Sequence, residues 1–306
     1  MQWLEHVHKP MIRVSTYVQY TSLLKRHIIP ALGNVYIQKL TPQQIQAFYA
    51  TKLRENLAPR SVVVMHAILH TAIENAVRWN MVSRNVVSLV SAPRIEKHEA
   101  ILLTSAQAQK LLDVARGDYM YVILTIAVMT GMRRGEILAL RWSDIDFQAN
   151  VLFVRHTINR YPGHGYVEGD PKTKSSRRKI VLPNIVMEAL KDQRPMQDET
   201  RKKAGAKWVE NNLIFTNRQG GYLNPNGVLH AFHRILDAAG LPHMRFHDLR
   251  HSAATILLTM GVHPKVVQEL LGHSTISMTM DTYSHVLPSM QKDAMDRIND
   301  AFLQED

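Results

Sequence analysis

Four stretches of this sequence place reactive polar side chains just where an apolar segment stops. In Thr130-Gly131-Met132-Arg133-Arg134-Gly135-Glu136, arginines follow at once on the apolar run 122–129. A guanidinium offers a planar fork that matches phosphate oxygens, although an arginine pair after a glycine-stopped helix is also ordinary surface. Lys172-Thr173-Lys174-Ser175-Ser176-Arg177-Arg178 is a basic run between apolar segments. A lysine there could reach into a groove, or the run could be a solvated turn. His247-Asp248-Leu249-Arg250-His251 opens an apolar helix. A helix start favours an anion, and His247 and Arg250, three apart, share a face. Leu271-Gly272-His273 is followed by Asp281-Thr282-Tyr283-Ser284-His285. A tyrosine on a helix is by itself ordinary packing. The spacing of His243, His247 and His251 raises a metal site, but Pro242 interrupts a common helix and the chain has no cysteine, so no metal is expected.

These residues need elements to position them. Thr16 and Gln19 have capping-box spacing ahead of Leu23, Leu24 and Ile28, with Pro30 and Gly33 as stops. Thr41-Pro42-Gln43-Gln44 provides an N-cap, a proline at the first helical position and a glutamine at the third, predicting a helix to about Arg54. From Ser61 a long helix is expected, with Val64, Ala67, Ile68, Ala72, Ile73 and Val77 on its apolar side. The result is a helical domain over 1–92, basic at Lys25, Arg26, Lys52, Arg54, Arg60, Arg78 and Arg84, then a linker over 93–103. A larger domain, 104–306, starts at the cap Thr104-Ser105. Helices are predicted over 105–116, 118–130 and 134–140. Apolar strands at 151–154 and 178–182 follow, flanking a turn at Gly163 and Gly165. Further helices fit 184–193, 226–239, 248–260, 264–271, 275–285 and 289–303. The fold class is mainly α with a small antiparallel sheet.

Bulk properties narrow the partners. With 306 residues the chain is long enough for two cores. The absence of cysteine excludes disulfides, thiolate zinc sites and cysteine nucleophiles. No apolar run nears the ~18 residues of a membrane span, and the first residues lack a signal-peptide layout, so a cytoplasmic protein is expected. A net charge of +11 suits a polyanion such as nucleic acid.

Taken together and in order, Arg133, Lys172, His247, Arg250, His273 and Tyr283 resemble the active site of the tyrosine recombinases, the phage- and transposon-type integrases. The wording of 130–146, Pro171-Lys172-Thr173-Lys174, 247–251, 271–273 and 281–285 is similar to that family's motif boxes. Thr16-Tyr17, Pro30-Ala31-Leu32-Gly33 and Ser83-Arg84-Asn85 resemble its core-binding domain. Many integrases also carry a small arm-site-binding domain before that bundle; no segment here resembles it.

The resemblance implies a site-specific recombinase acting on double-stranded DNA without metal, ATP or other cofactor, for integration or excision of a mobile element. It implies that Tyr283 attacks the scissile phosphate, leaving a 3′-phosphotyrosine. Arg133 and Arg250 clamp the phosphate, Lys172 acts as general acid, His247 as general base, and His273 donates to the phosphate. Glu136, one turn from Arg133, would orient an arginine or histidine rather than react. Lys25, Arg26, Arg60, Arg78, Lys174 and Arg177 are expected at the DNA. Partners would be other copies, dimer to tetramer on DNA, and accessory DNA-bending or directionality proteins. A C-terminal helix near 289–303, with Met295, Ile298 and Phe302 on one face, would dock on a neighbouring copy. The competing readings are a type IB topoisomerase-like enzyme, a non-catalytic DNA-binding regulator on the same scaffold and, more remotely, a metal-dependent nuclease.

Overall fold

Thr41 begins a helix because its hydroxyl accepts the Gln44 amide while the Gln44 side chain takes the Thr41 N–H. Thr104 and Gln107 close the same reciprocal box. These caps satisfy backbone donors that a helix start otherwise leaves orphaned. The computed structural model in which they occur describes residues 1–96, 100–169 and 177–276, with residues 295, 296, 298, 299 and 302. The chain forms two compact units, Met1–His98 and Glu99–Asp306, and is mainly helical with small antiparallel sheets.

The first unit holds α1 (Val14–Leu23), α2 (Ile29–Leu32), α3 (Pro42–Arg54) and α4 (Pro59–Arg78). Several expectations are corrected here. Helix α1 starts at Val14, so Thr16 lies inside it and caps nothing. Pro30 does not stop the chain's helical course. The backbone widens into a π-turn over Leu24–Ile28, and Pro30 falls in the first turn of α2, where its missing N–H is no loss. The next helix begins at Pro59 rather than Ser61. Its buried stripe is Val62, Met65, Ile68, Leu69, Ile73 and Ala76, while Ala67 is exposed. Apolar residues cover more than one side of α4. Packing with Ile45, Phe48 and Tyr49 of α3 selects which side is buried.

The second unit is built around α6 (Met120–Thr130), buried almost all round as befits a central helix. Packed with it are α5 (Ser105–Ala115), α8 (Asn184–Ala204), α9 (Pro225–Ala238) and α10 (Asp248–Thr259). Helix α7 (Arg134–Ile137) is shorter than the expected 134–140. Helix α8 runs on past the expected 193, with Pro195 inside it. Helix α11 is Pro264–Leu271. A three-stranded antiparallel sheet has the order β1 (Ile145–Asp146), β2 (Val151–Val154), β5. Strand β5 (Arg178–Val181) sets Ile180 opposite Leu152 and Arg178 opposite Val154. Between β2 and β5 the chain makes a hairpin absent from the sequence expectation: β3 (Thr157–Tyr161) with β4 (Gly165–Gly169), turning at Gly163 and Gly165, both with positive φ.

Lys172, Lys174 and Tyr283 lie outside the described residues, as do most of 275–285 and 289–303. Met295, Ile298 and Phe302 are helical and exposed. Among the described residues no helix is long and apolar enough to cross a membrane.

Thr104→Ala removes a capping box at the entry of the second unit. A loss of about 1 kcal/mol is expected, read as a lower urea midpoint for this unit with an unchanged slope.

Candidate active site

Arg133 is placed by the way α6 ends. Gly131 takes the left-handed conformation, φ +62°, and its N–H returns to the Ala127 carbonyl. This is a helix-ending turn that glycine adopts without strain. A Cβ here would lie 2.5 Å from Leu271 Cδ2, so glycine also lets α6 and α11 approach. The Gly131 carbonyl accepts from Arg250 Nη1 at 2.9 Å. Arg250, on the first turn of α10, is only 2% exposed. Gly135 has a parallel part, since a Cβ there would lie 2.7 Å from Thr157 Oγ1 and 2.8 Å from the Ile158 carbonyl oxygen. Its absence lets α7 sit on β3.

Glu136 ties this junction together. Its carboxylate, 2% exposed, accepts from the Arg133 backbone N–H at 3.0 Å and from Arg133 Nη1 at 2.7 Å. It also accepts from Arg178 Nη2 at 3.0 Å. Burial would raise this carboxyl, but Arg178 and Arg133 bring it below the usual carboxylate range. It is therefore ionised at neutral pH. The Arg133 side chain stays 37% exposed, its guanidinium oriented yet open to a ligand.

His273 is set by the end of α11. Gly272 is left-handed at φ +70°, its N–H returns to the Glu269 carbonyl, and the His273 N–H returns to Gln268. This double return is a Schellman motif. The buried Gln268 amide then donates to the His273 carbonyl at 3.1 Å. Burial, then Arg250, Arg133 and the neighbouring His251 and His247, press the His273 imidazole down to about 4.

His247 precedes α10, whose first residue, the buried Asp248, accepts from the Arg245 backbone N–H and guanidinium. Protein packed on its inner side strips water from the His247 ring, and His251, Arg250 and Arg133 oppose a further positive charge. It titrates at about 4, with Asp248 pulling the other way. Its outer side remains exposed. The His251 ring meets it edge to face at 5.1 Å. His243 stands apart, stacked on His233 and paired with Asp237. Among the described residues no group of three acids or histidines is arranged to hold a metal ion.

The structure thus brings Arg133, Glu136, His247, Arg250 and His273 into one neighbourhood, where burial, the arginines and the neighbouring rings all hold the His247 and His273 imidazoles uncharged. It is a cationic site with two neutral imidazoles, suited to an anion that must exchange a proton. Arg177 is exposed beside an open groove of about 510 Å³ lined also by Arg155, His156, Arg178 and Lys179. Lys25, Arg26, Arg60 and Arg78 are exposed in the first unit. Two residues that the sequence reading names, His251 only for a metal alternative and Arg178 only in a basic run and a strand, join this neighbourhood. His251 lies one turn from His247. Arg178 lies in phase with Ile180 and Leu182, both buried, so strand alternation already placed an arginine on an inward face.

Comparisons with known proteins match most of the chain. Residues 102–290 match the phage integrase family, and residues 1–53 match the N-terminal SAM-like domain of phage integrases. A tyrosine recombinase XerC-like protein of Caldanaerobacter subterraneus is 30% identical, over 98% of this chain and 82% of its own length. Among solved structures, the Tn1549 transposon integrase in complex with transposon right end DNA shares the fold. Its TM-score is 0.77 at 23% identity, covering 97% of this chain and 98% of its own. A lambda integrase tetramer bound to a Holliday junction has a TM-score of 0.66 at 21% identity, covering 92% of this chain and 75% of its own.

With folded pKa values near 4 against an ordinary value near 6.5, His247 and His273 take up protons more readily in the unfolded chain. Stability therefore rises with pH between these limits and is lost as pH falls through them. In histidine NMR titrations of the folded protein both rings should stay neutral at pH 6. Signals from either ring titrating near 6.5 would contradict its burial among the arginines. Gly131→Ala should cost about 1–3 kcal/mol through its strained φ and the Leu271 clash, visible as a lower melting temperature.

Proposed function

The chain belongs to the phage integrase family, the tyrosine recombinases that break and rejoin DNA, and we propose that it recombines specific sites of a mobile element through a phosphotyrosine at Tyr283. The observation that supports this most is the convergence of Arg133 and Arg250 with His247 and His273 at the junction of α6, α10 and α11.

In the first step the Tyr283 oxygen bonds to the scissile phosphorus and the bond to the 5′-oxygen breaks. The transition state gathers charge on the non-bridging oxygens, which fixed cationic donors stabilise. Arg133 and Arg250 do this work, the second with Nη1 anchored on the Gly131 carbonyl. His247, neutral before substrate arrives, accepts the phenolic proton. Lys172 gives a proton to the leaving 5′-oxygen. His273 donates a hydrogen bond to the phosphate. The energy of the broken bond is kept in the phosphotyrosine, so a 5′-hydroxyl from another strand reseals it by the reverse path. The arginines take the charge-neutralising part that a metal ion plays elsewhere, and the scheme needs neither metal nor ATP.

Double-stranded DNA is the partner, met through phosphate contacts that position the protein. The basic groove at Arg155, Arg177 and Lys179 and the exposed Lys25, Arg26, Arg60 and Arg78 suit such contacts. Paired cuts require several copies. The exposed apolar positions Met295, Ile298 and Phe302 supply a helical face for a neighbouring copy to cover.

A denaturing gel after incubation with nicked duplexes carrying the element's ends, in EDTA, tests this reading. The unmodified chain should give a covalent adduct, and Tyr283→Phe should bind the DNA but give none. An adduct from Tyr283→Phe removes Tyr283 as nucleophile. Arg133→Ala should slow cleavage by about 10²–10³-fold while DNA affinity changes little, because its work is done in the transition state.

A further inference from the structure

Arg178 is not part of the scheme above, yet its buried guanidinium is bound at two points beside it. It opens β5 opposite Val154, and its side chain is 5% exposed. Nε donates to the Leu270 carbonyl at 2.6 Å, and Nη2 donates to Glu136 Oε2 at 3.0 Å. Leu270 lies in the last turn of α11, just before the left-handed Gly272 that launches His273. Glu136 is the carboxylate that holds Arg133. One planar guanidinium therefore joins the support of Arg133 to the support of His273. An ammonium, being a point charge on a flexible stem, cannot span both acceptors at these angles. Simple neutralisation of Glu136 would not require the second bond, since Arg133 already pairs with that carboxylate.

We propose that Arg178 is a positioning residue of the cleavage reaction: by binding Glu136 and the Leu270 carbonyl at once, it fixes Arg133 and His273 in a single phosphate-binding geometry. This rests on the reading of Arg133 and His273 as phosphate contacts. Misplacement of such groups by about 1 Å costs on the order of a hundredfold in rate, with binding left intact.

The test is Arg178→Lys, which keeps the charge beside Glu136 but loses the fork. It should fold, bind the nicked duplex with unchanged Kd, and cleave about a hundredfold more slowly in a single turnover. Two altered duplexes separate positioning from general damage. A methylphosphonate at the cut position lacks the negative charge that Arg133 must meet, so the variant's deficit should shrink. A 5′-sulfur leaving atom needs no proton, and on that duplex the deficit should persist. Normal cleavage by Arg178→Lys overturns the proposal, and so does a deficit that vanishes only on the sulfur duplex. If Arg178→Lys does not fold, the pair Arg178→Met with Glu136→Gln removes both buried charges. It should fold and stay slow; cleavage at the unmodified rate overturns the proposal. Arg133→Ala, run alongside, separates the two ways of failing. If its deficit shrinks on methylphosphonate and that of Arg178→Lys does not, this inference alone is wrong. If neither shrinks, the phosphate clamp is wrong and the inference falls with it.

Discussion

A carboxylate that is 2% exposed must be compensated, and Glu136 is compensated by arginines from separate elements. An isolated buried charge would cost several kcal/mol, and only good geometry with further hydrogen bonds recovers that. The need to satisfy Glu136 therefore fixes Arg133 at the start of α7 and Arg178 at the start of β5. Through Arg178 it reaches the end of α11. The cationic site is organised around a buried anion.

Backbone endings provide the rest of the precision. Helices α6 and α11 end on left-handed glycines, Gly131 and Gly272, and each ending delivers a side chain of the candidate site one or two residues later. Chain reversal at such a turn is set by its hydrogen bonds, so Arg133 and His273 inherit the rigidity of the buried helices behind them. The buried Ser252 extends the same rigidity to the unit's entrance: its hydroxyl accepts the Leu103 N–H and donates to the Asp248 carbonyl. The chain thus enters the catalytic unit already fastened to α10, the helix that carries Arg250.

Burial, with cation crowding added to it, explains why the imidazoles are neutral. His247 and His273 face the arginines with little carboxylate beside them, since Glu136 is turned to its own arginines and Asp248 to Arg245. A phosphate entering this space would oppose the arginines and make protonation of both rings easier. Either ring is thus most readily protonated when an anion is in place.

The sequence by itself determined the order of the reactive motifs, the caps at Thr41 and Thr104 and the glycine endings at Gly131 and Gly272. It also marked Glu136 as a support for an arginine or a histidine. These are local properties, written in residue types a few positions apart. Apolar residues cover more than one side of α4, and only packing against α3, α1 and the turn Val86–Leu89 decides which side is buried. The β3–β4 hairpin was missed because its strands are mostly polar and exposed, leaving little alternation to read. Arg178 could be placed on an inward face, but not joined to Glu136 or Leu270, which lie 42 and 92 positions away in the chain. Partners at such separations are chosen by packing, and only the tertiary structure decided that one guanidinium would connect Arg133 to His273.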